Sequence, residues 1–94
     1  MTESKLQTKI IKDLESKGYY VIKTIKLNKN GLHDIFAFKN GLATFIEVKA
    51  TGQKPKKLQL FRIEEVKQYG IKSFWVDSFE DYLKNIVQPY YNIL

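Results

Sequence analysis

Asp34, Glu47 and Lys49 are spaced so that they can act together, because the turn between them allows their relative positions to be worked out. Asn40-Gly41 is a strong hairpin signal and lies between two apolar runs, Ile35 to Phe38 and Leu42 to Ile46. With Asn40 and Gly41 as the two loop residues of a type I′ turn, Lys39 faces Leu42 and Phe38 faces Ala43. Continued down the ladder, that register sets Asp34 opposite Glu47. Directly opposed residues keep their β-carbons about 4.5 to 5.5 Å apart on one face, so two carboxylates are forced together. Period-two alternation adds Lys49 to the same face. Phe36, Phe38 and Phe45 lie deeper on that face and offer no compensating charge. A cation between the acids would, and an all-oxygen pocket suits a hard divalent ion such as Mg²⁺, with Mn²⁺ as substitute. Lys49 is then placed to reach a substrate or an attacking water. The plain alternative is a surface hairpin whose charges face solvent, with Lys49 simply pairing one of the acids.

Two helices contribute polar residues in line with their core stripes. Glu3, Gln7, Ile10 and Leu14 share one helical face, as do Gln59, Ile63 and Val66. Glu3 and Gln59 stand near the starts of their helices, where they either cap the chain in water or reach toward the acidic pair. Lysines form two further groups. Lys5, Lys9 and Lys12 make a helical stripe, the usual look of a solvated face. Lys54, Lys56 and Lys57 crowd the start of the second helix, where cations oppose the helix dipole and a bound phosphate would relieve that conflict.

The elements that must position these residues read as helix, strand, hairpin, helix, strand, helix. The first helix is expected from about Thr2–Ser4 to Lys17, with Ser4 and Gln7 as a capping box and Gly18 as its stop. A strand follows over Tyr19 to Ile25, then a polar loop over Leu27 to Gly31, then the hairpin. The second helix spans roughly Lys57 to Gln68 and ends at Gly70. Lys72 to Val76 is a short aromatic strand, and Ser78 with Asp81 caps a last helix through about Asn85. The run from Ala43 to Lys49, the second helix and the strand Lys72 to Val76 form a βαβ unit. The outcome is an α/β sandwich whose central strands are apolar on both faces because helices cover both sides.

Composition narrows the function classes. Ninety-four residues accommodate one core and one domain, and 44% hydrophobic content excludes a disordered chain. The net charge of +6, nearly all from lysine, favours a polyanionic partner such as nucleic acid. Without cysteine there are no disulfides or thiolate metal sites, and a lone histidine cannot build a histidine-based centre. No signal peptide or membrane-length apolar run is seen, which leads to the expectation of a cytoplasmic protein without membrane contact. The apolar tail at 86–94, with Tyr90, Tyr91, Ile93 and Leu94, is expected either to fold back on the sheet or to bury against a second copy in a homodimer.

Gly31-Leu32-His33-Asp34-Ile35, then Phe45-Ile46-Glu47-Val48-Lys49, then Gln59, with Glu3 on an opening helix, resemble the virus-type replication-repair nuclease domain of the PD-(D/E)xK superfamily. That superfamily also holds restriction endonucleases and archaeal Holliday junction resolvases. The likeness spans roughly Glu3 to Leu83, the extent of a stand-alone minimal domain. It implies a restriction-endonuclease-like sandwich with a mixed four-stranded sheet flanked by helices. It also implies a Mg²⁺-dependent deoxyribonuclease acting on duplex or branched DNA, such as flaps or junctions in repair and recombination. Asp34 and Glu47 would be metal ligands, joined by the backbone carbonyl of Val48 and supported by Glu3. Lys49 would orient the attacking water, and Gln59 would hold Lys49 or a phosphate. Lys5, Lys9, Lys12, Lys54, Lys56 and Lys57 are the candidate DNA contacts. His33 stands where this family usually carries proline. It either packs and hydrogen-bonds beside the site, or contacts DNA and assists proton transfer. The rival class is a basic nucleic-acid-binding module that keeps this fold without catalysis.

Overall fold

Asn40 and Gly41 both take positive φ, 53° and 76°, the backbone that a two-residue type I′ loop demands. In this computed structural model, which describes residues 1–88, they join β2 (Ile35–Lys39) to β3 (Leu42–Val48). The register is the expected one, from Lys39 opposite Leu42 to Ile35 opposite Ile46. Tail residues Tyr90, Tyr91, Ile93 and Leu94 lie outside the described residues, and with them the choice between folding back and self-association.

On the outer edge, β1 (Tyr20–Lys23) pairs antiparallel with β2, and β4 (Lys72–Val76) runs parallel to β3 at the opposite edge. The sheet is therefore mixed, in the order β1-β2-β3-β4. β1 is shorter than its apolar run from Tyr19 to Ile25 suggests. The ladder ends at Lys23 opposite Ile35, and Thr24 then turns the chain away by donating its amide to Asp34 O and its hydroxyl to His33 O.

One face of the sheet carries Ile35, Ala37, Ile46, Val48 and Val76, all buried against Leu6, Ile10 and Leu14 of α1 (Glu3–Ser16) and Tyr82 and Ile86 of α3 (Phe79–Ile86). Burying each such aliphatic side chain is worth about 1.5–3 kcal/mol, so this face holds the core. Tyr82 also ties the two helices together, its hydroxyl donating to Asp13 Oδ2 at 2.7 Å. The start of α1 differs from expectation. Thr2, and not Ser4, is the cap, accepting the Lys5 amide at 3.2 Å, while Ser4 lies inside the helix and Gln7 is buried. Glu3 thereby falls in the first helical turn. Ser78 caps α3 as expected, accepting the Asp81 amide.

The opposite face, with Phe36, Phe45 and Glu47, is covered in part by α2 (Lys57–Lys67), which lies over β4 and buries Ile63 and Val66. Helices on both faces, in the order α-β-β-β-α-β-α, complete the expected sandwich. No described helix is long and apolar enough to cross a membrane.

Candidate active site

The regular β2–β3 ladder stops at Ile35 and Ile46, one residue short of the acidic pair. Asp34 is held at that end by three bonds. Its amide donates to Ile46 O at 3.1 Å, its carbonyl accepts the Thr24 amide at 2.9 Å, and its Oδ2 accepts the Val48 amide at 2.9 Å. The carboxylate thus takes over a donor that the next ladder bond would have used, and its rotamer is fixed by backbone. Val48, the last residue of β3, turns its own side chain into the core on the other face.

Glu47 is only 2% exposed. Its Oε2 accepts from Gln59 Nε2 at 3.0 Å and lies 3.4 Å from Lys49 Nζ, whereas Oε1 is buried with no hydrogen-bond partner. Phe45 precedes it on the same face, and Trp75 stands opposite it on β4. Burial, reinforced by the Asp34 carboxylate and only partly offset by Lys49, pushes the Glu47 carboxyl up to about 8. A buried carboxylate oxygen that lacks a donor and faces a second acid is a place for a cation. Asp34 and Glu47, both oxygen donors, fit a hard divalent ion there.

Gln59 reaches Glu47, where the resemblance implied Lys49 or a phosphate as its partner. It sits in the first turn of α2, where its Oε1 accepts the Lys56 amide at 2.8 Å while its Nε2 serves Glu47. One amide therefore caps the helix and orients the acid.

Two expectations need correction. Among the described residues no group of three or more histidine, cysteine or acidic side chains is placed to hold a metal, so Glu3 forms no such cluster with Asp34 and Glu47 in this structure. The start of α1 is pinned to the segment after Lys49, through bonds of Met1 to Thr51, and Glu3 is half-buried in its first turn. His33 is not a DNA contact, because it is 1% exposed. Its ring packs edge-on against Phe45, and Nε2 meets Ser73 Oγ at 2.7 Å. Ser73 spends its proton on Ile63 O, so Nε2 carries the histidine proton and Nδ1 is a bare acceptor, buried without a partner. Burial brings the ring's pKa down to about 4, which keeps it neutral and removes it from proton transfer near pH 7. The strand has not begun at residue 33, which is why this side chain shares a face with Phe45.

The lysines divide. Lys56 and Lys57 are exposed at the cap and first turn of α2, which also carries Gln59, and Lys54 is exposed just before them. Lys5, Lys9 and Lys12 are exposed on α1, which covers the other face of the sheet, and Lys9 lies over the Phe79 ring at 4.3 Å. Sequence reasoning missed a third group. The loop at 24–34 encloses a cavity of about 280 Å³ that reaches Asp34 and is lined by Lys26 and Lys29. The sequence signal was there in lysines closely preceding Gly31 and Asp34.

Two opposed carboxylates and a lysine at the end of a mixed sheet flanked by helices define a nuclease-type α/β domain. No family model matches the sequence, and no curated protein matches it. A solved structure described as a VRR_NUC domain is similar to this chain at 29% sequence identity and a TM-score of 0.79, covering 92% of this chain and 96% of its own. The chain therefore has the fold of a virus-type replication-repair nuclease (VRR-NUC) domain.

Proposed function

We propose that this protein is a metal-dependent DNA nuclease that hydrolyses phosphodiester bonds and selects branched substrates such as flaps or four-way junctions. The observation that carries this reading is Glu47 Oε1, buried and without a partner beside Asp34, with Lys49 3.4 Å from the other oxygen. Asp34, Glu47 and the Val48 carbonyl would hold Mg²⁺ or Mn²⁺. When bound there, the ion supplies charge that polarises a phosphate oxygen and makes a water acidic enough to attack near pH 7. Lys49 adds positive charge where negative charge develops. Gln59 holds Glu47 in the orientation the ion requires, the part that outer-shell partners play at metal sites. No cysteine or serine neighbours Asp34, Glu47 or Lys49 in the sequence, so the proposed step is direct attack of water without a covalent intermediate. Symmetric junction cutting would need two such sites, and a homodimer formed through the apolar tail would supply them.

Incubation with Mg²⁺ or Mn²⁺ on linear duplex, single-stranded, flap and four-way-junction DNA tests this directly. Asp34→Ala and Lys49→Ala should each reduce cleavage by about a hundredfold or more. Cleavage indifferent to both substitutions would sink the site, and binding without cleavage in either metal would favour the non-catalytic module.

A further inference from the structure

The loop between β1 and β2 has no regular secondary structure, yet it is pinned along its length. Thr24 bonds Asp34 and His33 at its base, with the Thr24 amide 2.9 Å from Asp34 O and the hydroxyl 2.8 Å from His33 O. At its far end Arg62 Nε of α2 donates to Asn30 O at 2.9 Å. Gly31, at φ +81°, lies so close to α2 that a β-carbon would come within 2.7 Å of Leu58 Cγ. A loop anchored this way presents a preformed surface.

What it presents is an open cavity of about 280 Å³, lined among others by Thr24, Lys26, Leu27, Lys29, Asn30 and Asp34. Lys26 and Lys29 are exposed, and neither has an ion pair or hydrogen bond among the described residues. Ile25, also on the cavity wall, is 97% exposed, an apolar side chain left in water on a segment that is held in place. Two unpaired cations, an uncovered apolar side chain and Asp34 of the acidic pair line one cavity.

We propose that the 24–34 loop is a strand-holding subsite, in which Lys26 and Lys29 grip the backbone phosphate next to the bond to be cut and Ile25 rests against the sugar or base. Lys54, Lys56 and Lys57 are exposed at the start of α2, whose Leu58 packs against Gly31 and whose Gln59 bonds Glu47, so the loop and the helix start together offer a basic surface beside the acidic pair. The subsite rests on the nuclease reading for its substrate, but its binding can be measured without catalysis. Lys26 and Lys29 are positioning residues, acting through the strand they hold.

Fluorescence anisotropy of a labelled single-stranded and a labelled flap oligonucleotide, in EDTA across a salt series, tests it. Lys26→Ala with Lys29→Ala should weaken binding roughly tenfold at low salt and reduce the slope of log K against log salt by about 0.7 for single strands, because the pair holds one phosphate. Lys67→Ala with Lys84→Ala removes the same net charge elsewhere and should leave the slope unchanged. Ile25→Ala should weaken binding without altering the slope, because an apolar contact releases no counterions. In cleavage assays the lysine pair should raise KM with little change in kcat, whereas Lys49→Ala should collapse kcat. A single neutral methylphosphonate scanned along the strand should weaken wild-type binding most at one position beside the cut, and that position should lose its effect in the Lys26/Lys29 variant. A slope equal to that of the control pair, or a scan unchanged by the variant, overturns the subsite while leaving the nuclease reading intact. Failure of the wild type to bind either oligonucleotide would overturn both.

Discussion

Glu47 controls the chemistry of this site because it is the buried member of a like-charged pair. Its pKa of about 8 exceeds its ordinary value of 4.5, so the folded protein holds a proton that the unfolded chain has released. Stability is therefore greatest below about 4.5 on account of this group and is lost as pH rises toward 8. His33 acts in the opposite sense, since its pKa falls from 6.5 to about 4. The stability it contributes is present above 6.5 and lost as pH falls through 4. Between pH 6.5 and 8 only the Glu47 trend remains. In EDTA, thermal unfolding should occur at progressively lower temperature across that window, and Glu47→Gln should flatten the trend. Millimolar Mg²⁺ should flatten it as well, by compensating the ionised acid. A wild type with no slope in EDTA would contradict the burial argument. Gln59→Ala offers a second test at this scale. It removes both the amide that orients Glu47 and the bond to the Lys56 backbone, so cleavage should drop about 10- to 100-fold. Stability should fall by only about 1 kcal/mol, measured by urea unfolding.

At the scale of elements, the site depends on how α2 and the 24–34 loop meet. Gly31 makes that contact possible, both by its positive φ and by leaving room for Leu58. Gly31→Ala should cost about 1–3 kcal/mol in chemical denaturation, from the unfavourable backbone and the clash together. Adding Leu58→Ala should recover part of that loss, because the clash is relieved while the backbone strain stays. The hairpin needs no such long-range support. Its two positive-φ residues and its alternating apolar strands were legible in the sequence because turn stereochemistry and strand pleat act between neighbours. β1 was less legible. Its length is decided by where Asp34 and His33 accept bonds from Thr24, a matter of the partner segment and not of the run from Tyr19 to Ile25.

For the whole molecule, the positive charge is not evenly useful. Lys54, Lys56 and Lys57 are exposed at the start of α2, whose Gln59 bonds Glu47, while the α1 stripe covers the far face of the sheet. The proposed homodimer is a question at this scale too. Removal of residues 89–94 should convert a dimer into a monomer in sedimentation velocity and abolish paired junction cuts while leaving nicking of flaps. A full-length chain that sediments as a monomer at micromolar concentration would exclude the symmetric mechanism.

The sequence by itself determined the register that brings Asp34 to Glu47, the side of the sheet that carries Lys49, and the place of Gln59 on the core-facing line of its helix. Each follows from a short-range periodicity or a turn that two residues specify. Only the tertiary structure decided that Glu3 forms no three-acid cluster with the pair among the described residues, that His33 is buried against Phe45 and Ser73, and that Lys26 and Lys29 share a cavity with Asp34. Those outcomes depend on the packing of a loop and a helix start against distant segments, and no local pattern encodes where such segments meet.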